Sequence, residues 1–127
     1  MRKVKLKIQV NKSQEETFYF VINPENTPKW VEGIVEEETN EWPVGLGSIY
    51  RNKNKEGAWS TYLVDEFEHS RLFTLTSEDG NYHVRYIVTS NGENVCTLEY
   101  IEWVDEGELT EPFMPKALQK LKDILEK

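Results

Sequence analysis

One cysteine, Cys96, stands in the 127 residues, so neither an intramolecular disulfide nor a thiolate metal cluster can be built within a chain. Histidine is nearly as scarce. His69 falls in a turn pattern and His83 on an alternating run, and nothing in their spacing brings them together, so no metal and no cofactor are expected. Long apolar runs are missing, which excludes a membrane-spanning helix. Positive charge is in deficit: 15 Lys and Arg against 23 Asp and Glu leave a net charge of -8, which disfavours nucleic acid and anionic membranes as partners. The basic start RKVKLK offers only a small local patch. That start also alternates apolar and polar residues, where a secretory leader needs an unbroken apolar run. A cytoplasmic protein is expected, in which Asn11-Lys12-Ser13 carries no sugar. Apolar residues, 38%, fall short of the roughly 45–50% of an average soluble domain even when glycine is added, so any cavity should be modest.

The length suits one domain spanning residues 1–127, large enough to bury a core without staples. Val4, Leu6, Ile8 and Val10 alternate with polar residues and predict a first strand. Ser13 and Glu16 have capping-box spacing, which starts a helix through Phe18, Tyr19, Val21 and Ile22; Pro24 ends it at Asn23. Pro28 opens a second short helix around Trp30, with Gly33 available to close it. Period-two runs then predict strands near 34–39, 46–54, 58–68, 71–78, 82–89 and 94–104, joined by short turns and therefore antiparallel. The tail returns to a helical period, with Ala117, Leu118, Leu121, Ile124 and Leu125 on one stripe and a start near Thr110 and Pro112. Such a stripe finds its natural cover on the apolar face of the sheet.

This order, strand, two short helices, six-stranded meander and C-terminal helix, resembles the helix-grip fold of the SRPBCC superfamily, which includes START domains, the birch-pollen allergen family and polyketide cyclase/dehydrase-like proteins. NPENTPKWVEGI, VGLGSIYR, YLVDEFEHSRLFTL and NGENVCTLEYIEW are similar to local patterns of that superfamily, and together they cover nearly the whole chain. The resemblance implies an α+β fold in which a curved antiparallel sheet of about seven strands wraps a C-terminal helix. The final helix is shorter than is usual there. The resemblance also implies a cavity between sheet and helix that binds a small hydrophobic or aromatic-like molecule. Two alternatives travel with it: a cyclase, aromatase or hydrolase-like enzyme using a pocket Glu or Tyr, and a co-chaperone-like adaptor that binds protein. Monomer and homodimer both remain open.

The stretch EWPVGLGSIYR raises a phosphate-binding alternative. A dinucleotide fingerprint needs its glycines after a strand and before a helix; here Gly45 and Gly47 precede a strand and Tyr50 stands where a third glycine belongs. The glycines are expected to permit a bulge or a close backbone approach.

Candidate site residues follow from this frame. Cys96 reads as a small buried hydrophobe. Carboxylates occur at Glu36 to Glu38, on Asp65, Glu66 and Glu68, and at Glu99 and Glu102; of these Glu66 and Glu99, with Tyr86, are the candidates for proton transfer. The expected ligand-binding set is Trp30, Tyr50, Phe73, Val84, Tyr86, Leu98 and Tyr100 from the strands and short helix, with Leu118 and Leu121 from the final stripe. Phe113 and Met114 would sit near the cavity mouth. Arg51 and Arg85 could orient an anion if they faced inward.

Overall fold

In the computed structural model, which describes residues 1–110 and 112–127, the alternating start forms β1 (Lys3–Val10). Ser13 then caps α1 (Gln14–Ile22): its Oγ accepts the Glu16 N–H at 3.1 Å and donates to the Glu16 carboxylate at 3.2 Å. Asn23 is extended, as the following proline requires, and ends the helix. The second helix, α2 (Thr27–Trp30), is a single turn with Pro28 at its start. Gly33 plays no part in closing it; Val31 N–H returns to the Thr27 carbonyl at 2.9 Å.

The remaining strands are β2 (Glu36–Thr39), β3 (Ile49–Lys53), β4 (Trp59–Glu68), β5 (Leu72–Ser77), β6 (Tyr82–Gly92) and β7 (Val95–Val104), followed by α3 (Pro115–Leu125). They form one seven-stranded antiparallel sheet in the order β1-β7-β6-β5-β4-β3-β2. Strands β2 to β7 are the predicted meander, and β1 pairs with β7 from Lys3 opposite Trp103 to Val10 opposite Cys96. The architecture is thus the expected helix-grip arrangement, with few helices and a C-terminal helix on the sheet's inner side.

Two irregularities bend the sheet. Register shifts between Val64 and Glu66 on β4, and between Ser90 and Gly92 on β6. The first has a large consequence for side-chain facing. Val64 is fully buried, Asp65 is the extra residue, and the parity of β4 flips, so that Phe67 rather than Glu66 packs inward against Phe18, with ring centroids 5.7 Å apart.

Gly45 and Gly47 belong to the turn into β3. A Cβ at either would meet nothing within 4 Å, so close backbone approach is not their role; Gly47 is needed for its φ of +88°. Its N–H donates to the Val64 carbonyl at 2.8 Å, tying the turn to β4.

The final helix begins at Pro115, later than expected. The expected start near Thr110 runs through Glu111, which lies outside the described residues, and Phe113 and Met114 precede the helix. Leu118 and Leu121 are 2% and 0% exposed, with Ala117, Ile124 and Leu125 partly buried beside them. Burying each leucine contributes about 2 kcal/mol. The stripe packs on β1 and α2, which fixes one end of the grip.

Candidate functional site: an aromatic cavity with two carboxylates

The inner face of the sheet encloses a cavity of about 150 Å³. Its walls are Tyr50, Tyr62, Phe73, Leu75, Tyr82, Val84, Tyr86 and Tyr100; its roof is Val21, Thr27, Val31, Ile34 and Phe113. The volume is below the roughly 300–1,000 Å³ of drug-sized sites and close to the about 150 Å³ that accepts a benzene ring in an apolar core. Period-two facing supplies the walls: Phe73 and Leu75, Val84 and Tyr86, and Tyr100 all lie on the inner phase of their strands. Phe73 stacks on Tyr86 with centroids 4.9 Å apart, Tyr100 meets Tyr86 edge-on at 5.3 Å, and Phe113 stacks on Tyr100 at 4.1 Å. Val31 and Phe113 also line an open groove outside, beside Met114, Lys116 and Lys55, so this pair stands between cavity and solvent.

Two carboxylates enter the lining. Glu102 on β7 is 2% exposed. One oxygen accepts the Tyr82 hydroxyl at 2.5 Å and the Tyr100 hydroxyl at 3.2 Å, and the other accepts the Phe113 N–H at 2.5 Å. It therefore ties β6, β7 and the loop before α3 together. Glu37 on β2 has weaker support: the Thr27 hydroxyl donates to it at 2.6 Å and the Asn52 amide at 3.4 Å. Desolvation raises the Glu37 carboxyl from an ordinary value of 4.5 to about 7, against the lowering effect of those two hydrogen bonds. No lysine or arginine lines the cavity among the described residues.

The tyrosine hydroxyls divide in the same way. Tyr50 donates to the Ile22 carbonyl, and Tyr82 and Tyr100 donate to Glu102. Tyr86, 8% exposed and part of the lining, has no hydrogen-bond partner among the described residues. Burial, and then the nearby Glu37 carboxylate, pushes its phenol well above the usual range.

Of the residues expected at the site, Tyr50, Phe73, Val84, Tyr86, Tyr100 and Phe113 line the cavity. Trp30 sits one layer behind, edge-on to Tyr86 at 6.2 Å and to Phe113 at 5.9 Å, and its indole N–H is buried without an acceptor among the described residues. Leu98, Leu118 and Leu121 are core residues away from the cavity, because α3 packs on β1 and α2 instead of roofing the rings. Met114 is 56% exposed in the outer groove.

The two expected acid–base carboxylates are corrected. Glu66 faces outward behind the Asp65 bulge; the Thr74 hydroxyl and the Arg85 guanidinium hydrogen-bond it and hold its carboxyl below the usual range. Glu99 is out of phase with Leu98 and Tyr100 and faces Lys5 at 3.8 Å on the outer side. Arg51 and Arg85 are likewise external, paired with Glu38 and Glu66 and lying against Trp59 and Trp103. Cys96 is fully buried, its thiol donating to Thr17. His69 contacts Ser70, and His83 lies between Thr76 and Asp105; neither lines the cavity.

The chain matches, over residues 1–127, the family described as polyketide cyclase / dehydrase and lipid transport, and belongs to it. Solved structures share the fold at low identity. A START superfamily protein from Mycobacterium smegmatis superposes with a TM-score of 0.76 at 14% identity, covering 99% of this chain and 98% of the other. The Aha1 dimer from Colwellia psychrerythraea gives 0.69 at 16%, covering 99% and 97%. A norcoclaurine synthase point mutant from Thalictrum flavum, solved with a transition-state analogue, gives 0.66 at 14%, covering 98% and 93%. No curated protein matches the sequence. Family membership supports a role in ligand binding or cyclase-type chemistry, and the START-like neighbours show the fold. No helix among the described residues is long and apolar enough to cross a membrane.

Proposed function

We propose that the protein binds a small, ring-sized, mostly apolar molecule in the cavity walled by Phe73, Tyr86 and Tyr100, with one polar end of the ligand turned toward Glu37 and the Tyr86 hydroxyl. The observation that carries the reading is the coexistence, in one ring-lined space, of a desolvated carboxyl and a tyrosine hydroxyl without a hydrogen-bond partner among the described residues. Such a space gains from apolar burial, while a few polar atoms orient the guest. The ligand enters between Val31 and Phe113 from the outer groove.

The native mass of freshly purified protein, compared with its denatured mass and an organic extract of the same sample, tests this. A recurring adduct released on denaturation is expected. A clean mass, combined with no shift of Phe73 or Tyr86 resonances across a panel of one-ring compounds, overturns it.

A second reading has its own observation. A carboxyl at about 7 is half ionised at neutral pH and suited to take and return a proton, so Glu37 is the residue on which a cyclase-type or hydrolase-like activity would turn. Loss of turnover in Glu37→Gln with unchanged binding supports it; unchanged turnover sinks it.

A further inference from the structure

We propose that the cavity selects a small organic cation, an ammonium group on a single ring or short alkyl body, with Glu37 as its counter-ion and the Tyr86 hydroxyl as an acceptor for its N–H. The inference rests on the cavity being the binding site and names the ligand's chemical class.

Charge balance comes first. The lining holds two carboxylates and no cationic side chain among the described residues. Glu102 is already met by three donors, from Tyr82, Tyr100 and the Phe113 backbone. Glu37 is met by two neutral donors, one of them long at 3.4 Å. A buried carboxylate without a cation is costly and is relieved by a proton or by a paired positive charge. Above about pH 7, with the proton gone, the ligand can bring that charge, since no lining side chain among the described residues does.

Ring geometry gives the second argument. Tyr50, Phe73, Tyr86, Tyr100 and Phe113 surround the space, and aromatic walls attract a desolvated ammonium through their electron-rich faces. An anionic guest meets two carboxylates and no donor cation, so carboxylates and phosphates are rejected. The third argument is the Tyr86 side chain, which lines the cavity and whose hydroxyl has no hydrogen bond among the described residues, so it can receive an N–H without breaking one. The overall charge of -8 also draws cations toward the protein. Size limits the guest to about one ring with a short arm.

The groups facing Glu37 are Thr27 on α2, Tyr50 and Asn52 on β3, Tyr62 on β4 and Tyr86 on β6, with Glu102 the other acid of the lining. Burial raises all three phenols above the usual range, so they stay neutral between about pH 6 and about pH 8.

Benzylammonium, benzyl alcohol and benzoate are nearly equal in shape and differ in charge. Their binding to the full chain, measured by calorimetry at about pH 6 and about pH 8, tests the proposal; the Trp30 indole N–H resonance, behind Tyr86 and Phe113, locates the site. Benzylammonium is expected to bind at least about tenfold more tightly than benzyl alcohol at the higher pH, and to weaken by up to about tenfold at the lower pH as Glu37 takes a proton. Benzoate is expected not to bind. Glu37→Gln should bring cation and alcohol to similar affinity and flatten the pH dependence. Tyr86→Phe should weaken the cation by a few-fold. If benzyl alcohol or benzoate binds wild type as tightly as the cation, the inference falls and the cavity reading stands. If none of the three shifts Trp30, the inference falls, and the cavity reading falls with it only when the native-mass experiment also finds nothing bound.

Discussion

Glu102 and Glu37 share one cavity and have opposite surroundings. Glu102 sits near the β1 side of the sheet, where two phenols and a backbone N–H converge on it, and it holds the loop of Phe113 in place. Glu37 sits on the far edge strand, β2, with two neutral donors and a carboxyl displaced to about 7. A buried carboxylate that is fully met is a structural tie. One that is incompletely met is a group in want of a proton or a cation. The difference lies in the number and kind of donors each acid meets.

Removing the tie should have the largest effect. Glu102→Ala leaves the Tyr82 and Tyr100 hydroxyls and the Phe113 N–H without their acceptor and should lower stability by roughly 3–5 kcal/mol, read from the denaturant midpoint at constant m-value. A loss under about 1 kcal/mol would erase the contrast between the two acids.

Glu37 should reveal itself through pH. Its carboxyl is raised in the folded state, so its contribution is complete below the ordinary value of 4.5 and is lost as pH rises through about 7. Wild type should lose up to about 3 kcal/mol between these limits, and Glu37→Gln should remove that slope. Equal slopes in the two proteins would mean that Glu37 is better solvated than its position implies.

The tyrosines sharpen the same comparison at smaller scale. Tyr50→Phe strands the Ile22 carbonyl and should cost about 1–2 kcal/mol, whereas Tyr86→Phe loses no hydrogen bond among the described residues and should change stability by less than about 0.5 kcal/mol. Parallel thermal melts decide it; a large loss for Tyr86→Phe would reveal a partner for its hydroxyl. Glu66→Gln should also be small, because an exposed pair with Arg85 contributes about 0–1 kcal/mol and weakens in salt.

Much of the fold was legible because it rests on local rules. The alternation of Val4, Leu6, Ile8 and Val10, the Ser13 cap, the stop at Asn23-Pro24 and the turn residues between strands each act within a few residues. The aromatic walls were legible for the same reason, since Val84, Tyr86 and Tyr100 keep phase along unbroken strands. Glu102 could have been found too: the alternation that turns Leu98 and Tyr100 inward turns Glu102 with them and Glu99 away. Glu66 could not have been excluded in that manner, because counting by twos from Val64 points it inward. Only the extra residue at Asp65 reverses that, and a bulge depends on pairing with β5.

By itself, then, the sequence determined the order and kind of elements, the antiparallel connections, the apolar stripe of the last helix and the exclusion of an intramolecular disulfide, all consequences of short-range geometry and composition. The tertiary structure alone decided where α3 packs, which way β4 turns after Asp65, and that Glu37, from an acidic run with no apolar phase, ends in a ring-lined cavity with no cation among the described residues. Those outcomes depend on desolvation and on partners from distant strands, and neither quantity exists until the chain has closed.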